Sequence, residues 1–525
     1  MLPSRPCRKV ILSTLLALCL GAVAPAARAA PADTARAAAW FDAHRQRPPM
    51  LRQFLQRMPK GADLHSHLSG AVYAEQYLAW AAEDELCVNP DTLAFGPACG
   101  EGDAKNIPTQ VFLQGKQMST YNALIDRMST RNVALGSRSG HDQFFDAFGA
   151  FPNVANSPAR TAGMVAELAD RAGRQITQHL ELMFTFQGDA VRKLGAGLPW
   201  AEETDFGRRL LWLQAKGLAD IVAAGRADLD RVHGALREQL RCDTPAARPG
   251  CTVSVRWLQQ TTRIAQPEVV FAQLAYAFAL SSADGRVVGL NLVAPEDHLI
   301  ALRDYTLQMR MIGFLHQQLP QVKIALHAGE MTLGMVAPQH LRGHIREAVT
   351  LAGASRIGHA VGIGFEDGAA ATMAAMKAKG VAAEVCLTSN DVILGVRGAD
   401  HPFLDYLAAG VPVVLASDDE GISRIDLSNE YQRAATGYGL RYGQMKTLSR
   451  NSLEFSFLPG ASLWRDRAQS RVAPACQRDA LGSAKPSASC QAWLDGSERA
   501  TQQWRLERAF NDFERLPDWR AVARH

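Results

Sequence analysis

The sequence lacks any cluster of basic residues and carries almost no excess charge of either sign. Its 56 Lys and Arg side chains against 52 Asp and Glu leave a net charge of +4 over 525 residues. Nucleic acids and anionic membranes are bound through concentrated positive charge, so we expect neither as a partner. The chain also lacks an internal repeat, which excludes a repeat architecture.

Long hydrophobic runs are equally scarce, and the one suited to targeting lies at the N-terminus. Basic residues up to Lys9 precede the apolar stretch 10–24, which is too short to span a bilayer comfortably, and residues 27–29 read Ala-Arg-Ala, as at a signal-peptidase site. We therefore expect a signal peptide at residues 1–29. The mature chain, 30–525, is expected to be periplasmic or secreted, with no stable membrane span. An uncleaved membrane anchor is the alternative.

Cysteine is sparse as well, with nine residues in the chain, seven of which lie beyond position 29. Six of these seven form close pairs along the sequence, and an exported chain favours disulfides. Metal sites fit less well, because the spacings are long and no histidine cluster accompanies them. The predicted pairs are Cys87–Cys99, Cys242–Cys251 and Cys476–Cys490, with Cys386 free in a buried strand.

Seven short apolar runs predict buried parallel strands, and helical patterns such as 159–172 and 369–379 lie between many of them. The runs are 62–68, 177–184, 286–293, 322–326, 356–361, 381–387 and 411–416. This alternation indicates a parallel α/β fold. A single (β/α)₈ TIM barrel holds a chain of this length in one domain when it carries insertions, which we expect near residues 85–139, 240–250 and 467–496.

Polar residues stand where four of these runs end. His65 and His67 are two apart on one strand and so point to the same side, while His327, His359 and Asp418 each end or follow another run. An aspartate alone could simply cap the next helix. Four such strand ends fit an active site better, because a β/α barrel gathers its catalytic groups at the carboxyl ends of different strands.

Three imidazoles and one carboxylate make a ligand set suited to zinc, which binds N and O donors at about 2.0–2.2 Å. The predicted ligands are His65, His67, His327 and Asp418. A water in the remaining position would ionise near neutral pH. Two-metal barrel hydrolases usually add a bridging carboxylated lysine, and the strand ends near Leu258 and Val293 offer none, so we expect one Zn²⁺ per chain.

These motifs, in this order, resemble the adenosine deaminase family. The matching segments are 58–68, 327–330, 356–359, 388–394, 401–402, 417–419 and 456–459, together with Asn451. Within the family, the chain resembles the longer exported branch related to the adenosine deaminase growth factors. The resemblance implies a (β/α)₈ barrel, one zinc ion and the hydrolytic deamination of adenosine or 2′-deoxyadenosine to inosine or deoxyinosine and ammonia.

The resemblance also implies the roles of residues around the purine. Glu330 matches the acid that protonates the ring nitrogen beside the amino-bearing carbon, and it needs a pKa raised by a dry pocket to keep its proton near neutral pH. His359 matches the base that helps to deprotonate and orient the attacking water. Asp419 matches the residue that hydrogen-bonds the imidazole part of the purine. The cytidine deaminase signature, H-x-E with P-C-x-x-C, is absent.

Two positions depart from the family pattern. Ser69 stands where an acidic residue usually contacts the ribose 5′-hydroxyl, and Ala294 stands where a glycine usually offers its backbone N–H to the purine. We expect the added methyl group of Ala294 to require a negative φ, and Glu296 to remain a polar support of the pocket. The alternative substrate is another 6-aminopurine, such as adenine or a modified nucleoside.

A function of another class, a non-enzymatic zinc-binding or growth-factor-like module, also remains open. Glu330 argues against it, because a structural zinc site needs no additional acid three residues from a ligand. One phenylalanine-rich segment has two interpretations: it matches a region that lines the substrate entrance in relatives, and its spacing fits a core face, which we favour. Its members are Phe144, Phe145, Phe148 and Phe151.

Overall fold

The computed structural model describes residues 32–100, 105–201, 205–467 and 470–519. The predicted signal peptide, 1–29, lies outside the described residues. Within the described ranges, no helix is both long enough and apolar enough to cross a membrane.

Eight parallel strands form a barrel at the centre of the protein and pair in chain order. They are β1 (Gly61–His67), β2 (Thr177–Phe184), β3 (Ser254–Thr262), β4 (Val287–Val293), β5 (Lys323–Ala328), β6 (Arg356–His359), β7 (Ala382–Val385) and β8 (Val413–Leu415). Just beyond β8 the cylinder closes through a parallel bridge between Ser66 and Asp418. The Asp418 amide donates to the carbonyl of His65 at 2.9 Å, and the His67 amide donates to the carbonyl of Asp418 at 3.0 Å. The predicted (β/α)₈ TIM barrel is confirmed.

Each of the seven predicted runs overlaps a barrel strand, and β3 is the strand that they leave out. Its first half, Ser-Val-Arg-Trp, alternates polar and apolar residues, and it ends in Gln-Gln-Thr-Thr, so a search for apolar runs does not find it. The two glutamines have polar partners: Gln259 accepts the backbone N–H of Phe186 at 3.2 Å, and Gln260 Oε1 lies 2.9 Å from His67 Nδ1. Gln259 and Gln260 are therefore tolerated inside the barrel because their side chains are hydrogen-bonded.

Helices connect the successive strands. The crossovers contain Pro158–Arg174, Leu218–Gln239, Pro267–Ala283, Leu299–Gln318, His344–Glu347, Ala369–Lys379 and Phe403–Ala409, and Leu427–Gly437 and Tyr442–Glu454 follow β8. The two helical patterns predicted from sequence match the first and sixth of these within two residues at each end. Other helices of eight residues or more in the described ranges are Ala32–His44, Pro48–Arg57, Ala74–Glu83, Met118–Arg127, Gly140–Ala147, Gly188–Ala196, Phe206–Ala215, Leu387–Leu394, Ala488–Asp495 and Glu498–Glu514.

The excursions from the barrel carry the disulfides. The first builds a small antiparallel sheet from Leu86–Asn89, Ala94–Ala98 and Ile107–Pro108. The last contains a short ladder between Trp464–Asp466 and Arg471–Val472. The three predicted disulfides, Cys87–Cys99, Cys242–Cys251 and Cys476–Cys490, are all formed. Cys386 is free and buried, as predicted, but it lies directly after β7 rather than inside a strand.

Candidate active site

The four predicted metal ligands converge at the carboxyl ends of β1, β5 and β8. One nitrogen of each of His65, His67 and His327 and one oxygen of Asp418 all lie within 4.8 Å of one another. The Nε2 atom of His327 is 3.1 Å from Nε2 of His65 and 3.2 Å from Nε2 of His67. Asp418 Oδ1 is 3.4 Å from the Nε2 atoms of His65 and His67.

These spacings fit a single metal ion. A tetrahedral ion with bonds of about 2.0–2.1 Å holds neighbouring ligand atoms roughly 3.3 Å apart. Buried nitrogen lone pairs that face one another at such distances repel unless a cation lies between them. The residues present therefore suit a metal both in geometry and in the chemistry of the donor set.

The rings of the three histidines are held in one common orientation, because each Nδ1 faces a side-chain oxygen. The pairs are His65 with Glu384 at 2.7 Å, His67 with Gln260 at 2.9 Å and His327 with Asn291 at 2.8 Å. Since these oxygens accept, each Nδ1 carries the proton and each Nε2 keeps its lone pair toward the metal position.

A buried ion network lies behind His65. Arg356 contacts Glu384 at 2.5 Å and Glu181 at 2.7 Å, and all three side chains are fully buried. Burial alone would raise the pKa of Glu384, but the charge of Arg356 and the hydrogen bond from His65 lower it. Glu384 therefore stays ionised and keeps His65 oriented.

Glu330 follows β5 by two residues and is held through its backbone. Glu296 accepts the backbone N–H of Gly329 at 3.0 Å and that of Glu330 at 2.8 Å. It also contacts His344 Nδ1 at 2.6 Å. Burial alone would raise the pKa of Glu296, but His344, Arg263 and these backbone donors lower it to about 2. The ionised Glu296 carboxylate thus holds the backbone of Gly329 and Glu330 in place and positions the Glu330 side chain.

The Glu330 side chain lies beside His359, with Oε1 3.5 Å from Nε2 of the imidazole. Burial, followed by the charges of Asp418 and Glu296, raises the pKa of Glu330 well above its ordinary value. The protonated acid that the sequence predicted is therefore favoured by its surroundings.

His359 itself ends β6 and is buried. Burial, with the neighbouring histidines, lowers the pKa of His359 to about 3. Its Nδ1 lies 2.9 Å from Nδ2 of Asn390, whose Oδ1 lies 3.0 Å from Nε2 of His401. His401 Nδ1 in turn accepts the backbone N–H of Phe403 at 3.1 Å. A continuous chain of hydrogen bonds thus runs from the helix Phe403–Ala409 to the site.

Asp419 is buried beside Asp418, and its Oδ1 has no hydrogen-bond partner among the described residues. Burial and the adjacent Asp418 raise the pKa of Asp419 well above its usual range. These surroundings favour the protonated form of Asp419, and the residue lines the cavity of this site.

These groups share one cavity of about 340 Å³, a size typical of small-molecule sites. Ser69 and Ala294, for which the sequence predicts contacts with the substrate, line this cavity. The phenylalanines divide between the two interpretations: Phe144, Phe145 and Phe148 line the cavity, whereas Phe151 is buried and stacks on Tyr77 at 4.6 Å. The core interpretation that we favoured therefore does not describe the whole segment.

The expectation for Ala294 was wrong. Its φ is +84°, although a methyl group was expected to require a negative value. Two further site residues adopt positive φ, His359 at 61° and Asp418 at 62°. Such conformations cost roughly 1–2 kcal/mol for residues other than glycine and persist where the surrounding structure over-determines them. The backbone after β4 thus has, at Ala294, the positive φ that a glycine adopts without steric cost.

Comparison with known proteins identifies the family. A family model described as adenosine deaminase matches residues 120–465, roughly two thirds of the chain. The chain belongs to the adenosine deaminase family. The matched range contains His327, Glu330 and Asp418, and the geometry adds His65 and His67 of β1 to the same site.

Individual relatives within the adenosine deaminase family match over shorter stretches. The chain is 37% identical to an adenosine deaminase of Enterococcus faecalis over 138 residues, 26% of this chain and 37% of that protein. It is 32% identical to an N6-methyl-AMP deaminase of Danio rerio over 222 residues, 40% of this chain and 57% of that protein. These alignments span less than two thirds of the relatives' own length.

One solved structure supports the fold. The apo N6-methyl-AMP deaminase of Arabidopsis thaliana matches with a TM-score of 0.50 and 19% sequence identity, over 80% of this chain and 96% of that one.

The side chains that orient the predicted metal ligands of this adenosine deaminase family member were not recognised from the sequence. Gln260 lies in the strand that was missed, and Asn291 and Glu384 were treated as parts of apolar runs. A signal was nevertheless present for the last two. A polar or charged residue inside an otherwise apolar strand needs a buried partner, and each points to a ligand histidine.

Proposed function

We propose that the protein catalyses the hydrolytic deamination of a 6-aminopurine nucleoside, adenosine or 2′-deoxyadenosine, to the 6-oxo product and ammonia. One observation carries the proposal: Glu330, an acid with a raised pKa, stands in the same cavity as the four-ligand cluster. A site that only binds metal has no use for such an acid, and family membership supports the same chemistry.

The reaction adds water across the ring C–N bond. The oxygen goes to the amino-bearing carbon and a proton goes to the neighbouring ring nitrogen; loss of ammonia then leaves a carbonyl. Glu330 in its protonated form supplies the ring proton, and the water supplies the proton that replaces it. We propose one zinc on His65, His67, His327 and Asp418, which when bound makes water more acidic and more nucleophilic.

Asp419 orients the purine in this proposal. Its raised pKa favours the protonated carboxyl, which can donate a hydrogen bond to a ring nitrogen of the imidazole part. Apolar faces of Phe144, Phe145 and Phe148 suit a flat aromatic base.

The cavity favours a nucleoside over a nucleotide. Among the described residues that line it there is no Lys or Arg, whereas Glu330, Asp418 and Asp419 contribute three acids. A phosphate carries a charge of roughly −1.5 to −2 at neutral pH and needs cationic or backbone donors. We therefore propose that AMP and its N6-methyl derivative are poor substrates, in contrast to the relatives named as N6-methyl-AMP deaminases.

A second candidate is deamination of another 6-aminopurine, adenine or a modified nucleoside. Ser69 favours it, because a neutral hydroxyl holds the sugar less tightly than a carboxylate. A relative named aminodeoxyfutalosine deaminase, 38% identical over 133 residues, also supports a substrate other than adenosine.

The test is a substrate panel read by ammonia release, with metal analysis of the same sample. Adenosine, 2′-deoxyadenosine, adenine, AMP, cytidine and guanosine are compared by kcat/KM. Adenosine or 2′-deoxyadenosine is expected to rank first, with cytidine and guanosine poor. Zinc-replete protein that releases no ammonia from any 6-aminopurine would contradict the proposed function.

We also propose that the protein is exported after removal of residues 1–29. The three disulfides support an oxidising compartment. Mass analysis of the N-terminus of the mature protein, together with fractionation of cells, tests this location.

A further inference from the structure

We propose that His359 serves the site as a hydrogen-bond donor in its Nε2–H tautomer, and that Asn390 and His401 are the positioning residues that fix this state. The inference rests on the proposed deamination for its catalytic meaning. It differs from the role that the family resemblance implies, in which the imidazole accepts a proton from the attacking water.

The direction of the hydrogen-bond chain follows from its outer end. The backbone N–H of Phe403 can only donate, so His401 Nδ1, 3.1 Å away, must accept. A neutral His401 then carries its proton on Nε2 and donates to Asn390 Oδ1 at 3.0 Å. This contact fixes the amide of Asn390, whose Nδ2 donates to His359 Nδ1 at 2.9 Å.

The last hydrogen bond of this series, from Asn390 Nδ2 to His359 Nδ1, decides the tautomer of His359. Because Nδ1 accepts a hydrogen bond, it holds a lone pair, and the proton of the neutral ring lies on Nε2. The alternative, a proton on Nδ1, would set two N–H groups against each other in a fully buried position. The three imidazole and amide groups are at most 3% exposed, so water cannot relieve such a clash.

The three ligand histidines provide an internal contrast. Each of them has an oxygen acceptor at Nδ1, which leaves a lone pair at Nε2 for a metal. His359 has a donor at Nδ1 and therefore presents N–H instead. The hydrogen-bond partner at Nδ1 thus decides what each of the four imidazoles presents at Nε2. Three present a lone pair for a metal, and His359 presents an N–H donor.

The consequence concerns the attacking oxygen. One ligand atom from each of His359, Glu330 and Asp418 lies within 4.8 Å of the other two, so the Nε2–H of His359 points into the space between the acid and the metal ligand. There it can hold an attacking oxygen by donating, while keeping its own proton. The proton lost by the water goes to the carboxylate left on Glu330 after that acid has protonated the ring.

The decisive variant is Asn390→Asp, which keeps size and shape but replaces the donor by an acceptor. It should draw the proton of His359 to Nδ1 and expose a lone pair at Nε2. We expect kcat for adenosine to fall by about 100-fold or more, the usual effect of losing a preorganised donor, with KM changed by less than about threefold. A base would be improved by the same change, so an unchanged or higher kcat would overturn the proposal.

A pair of variants at His401 covers the possibility that Asn390→Asp folds poorly. His401→Gln retains an N–H that can reach Asn390 Oδ1, whereas His401→Leu has none. We expect kcat near the wild-type value for the first and about tenfold lower for the second, as befits one hydrogen bond acting through another residue. Equal losses in both variants, with equal melting temperatures, would contradict a positioning role.

The tautomer itself can be read without turnover. Long-range ¹H–¹⁵N spectra of zinc-loaded protein labelled at histidine distinguish protonated from unprotonated ring nitrogens, and His359→Gln identifies the signals. Wild type should show a bare Nδ1 and a protonated Nε2, and Asn390→Asp should reverse them. A protonated Nδ1 in wild type overturns the proposal even if the enzyme is active. Absence of activity with the expected spectra would instead count against the proposed function alone.

Discussion

Gly70 lies directly against the carboxylate of Asp419. A methyl group placed on its α-carbon would be 1.5 Å from Oδ1 and 2.4 Å from Cγ of that side chain, distances that no real contact allows. Position 70 therefore has to lack a side chain for Asp419 to occupy its present place in the cavity lining.

We predict that Gly70→Ala displaces Asp419 and weakens binding of the purine, because the carboxyl can no longer occupy its present position. kcat/KM for adenosine should fall by at least about 100-fold, as one strongly bound polar contact supplies a few kcal/mol, while the metal is retained. Gly443→Ala is the control, because a methyl group there meets nothing within 4 Å. Gly70→Ala with normal kcat/KM would show that Asp419 does not bind substrate.

The metal prediction concerns stoichiometry. Purified protein should carry about one zinc per chain, and replacing His65, His67, His327 or Asp418 by alanine should remove it. Elemental analysis after gel filtration measures this directly. Retention of stoichiometric zinc in a variant lacking both His65 and His67 would reject the ligand assignment.

For Glu330→Gln we expect intact zinc and fold but a kcat lower by several orders of magnitude, because the amide cannot protonate the ring on the way to the transition state. Burial and the charges of Asp418 and Glu296 raise the pKa of Glu330 above its ordinary value, which favours the protonated acid that the variant lacks. Steady-state kinetics with zinc analysis of the same sample provides the measurement. Turnover close to wild type would rule out the acid role.

Ser69 predicts weak dependence on the 5′-hydroxyl. A neutral hydrogen bond supplies at most about 1.4 kcal/mol, so 5′-deoxyadenosine should lose tenfold or less in kcat/KM relative to adenosine. The two nucleosides are compared under identical conditions. A loss of a thousandfold or more would mean that another residue reads the 5′ group strongly.

The positive φ of Ala294 predicts a stabilising substitution. Glycine adopts this conformation without steric cost, so Ala294→Gly should raise the free energy of unfolding by about 1 kcal/mol. Ala371→Gly, in the exposed part of the helix Ala369–Lys379, should lower it by a similar amount. Urea denaturation of both variants gives the comparison, and a destabilised Ala294→Gly would contradict the strain argument.

The fold and the metal cluster could be predicted from sequence because both follow from regular patterns. Apolar runs of strand length mark the barrel, and the alternation of side chains on a strand places His65 and His67 together. β3 escaped detection because it contains no continuous apolar run: polar residues alternate through its first half, and Gln259 and Gln260, which bond to other groups of the barrel, follow.

Other features depend on contacts between distant segments and leave no local pattern. The φ of Ala294 is set by the turn around it, and the sequence alone shows only a methyl group. The link between His401 and His359 joins residues 42 positions apart through Asn390, and its direction is decided by a backbone amide. Only the three-dimensional arrangement reveals which ring nitrogen carries a proton.

The ligands of the metal site also straddle the seam where the barrel closes. His65 and His67 belong to the first strand and Asp418 follows the last, which is only three residues long. An ion held there would cross-link the two ends of the sheet, so part of its binding free energy would become folding free energy. Removal of the metal by a chelator would then weaken the closure between β1 and β8. The metal-free enzyme would be less stable toward unfolding as well as inactive.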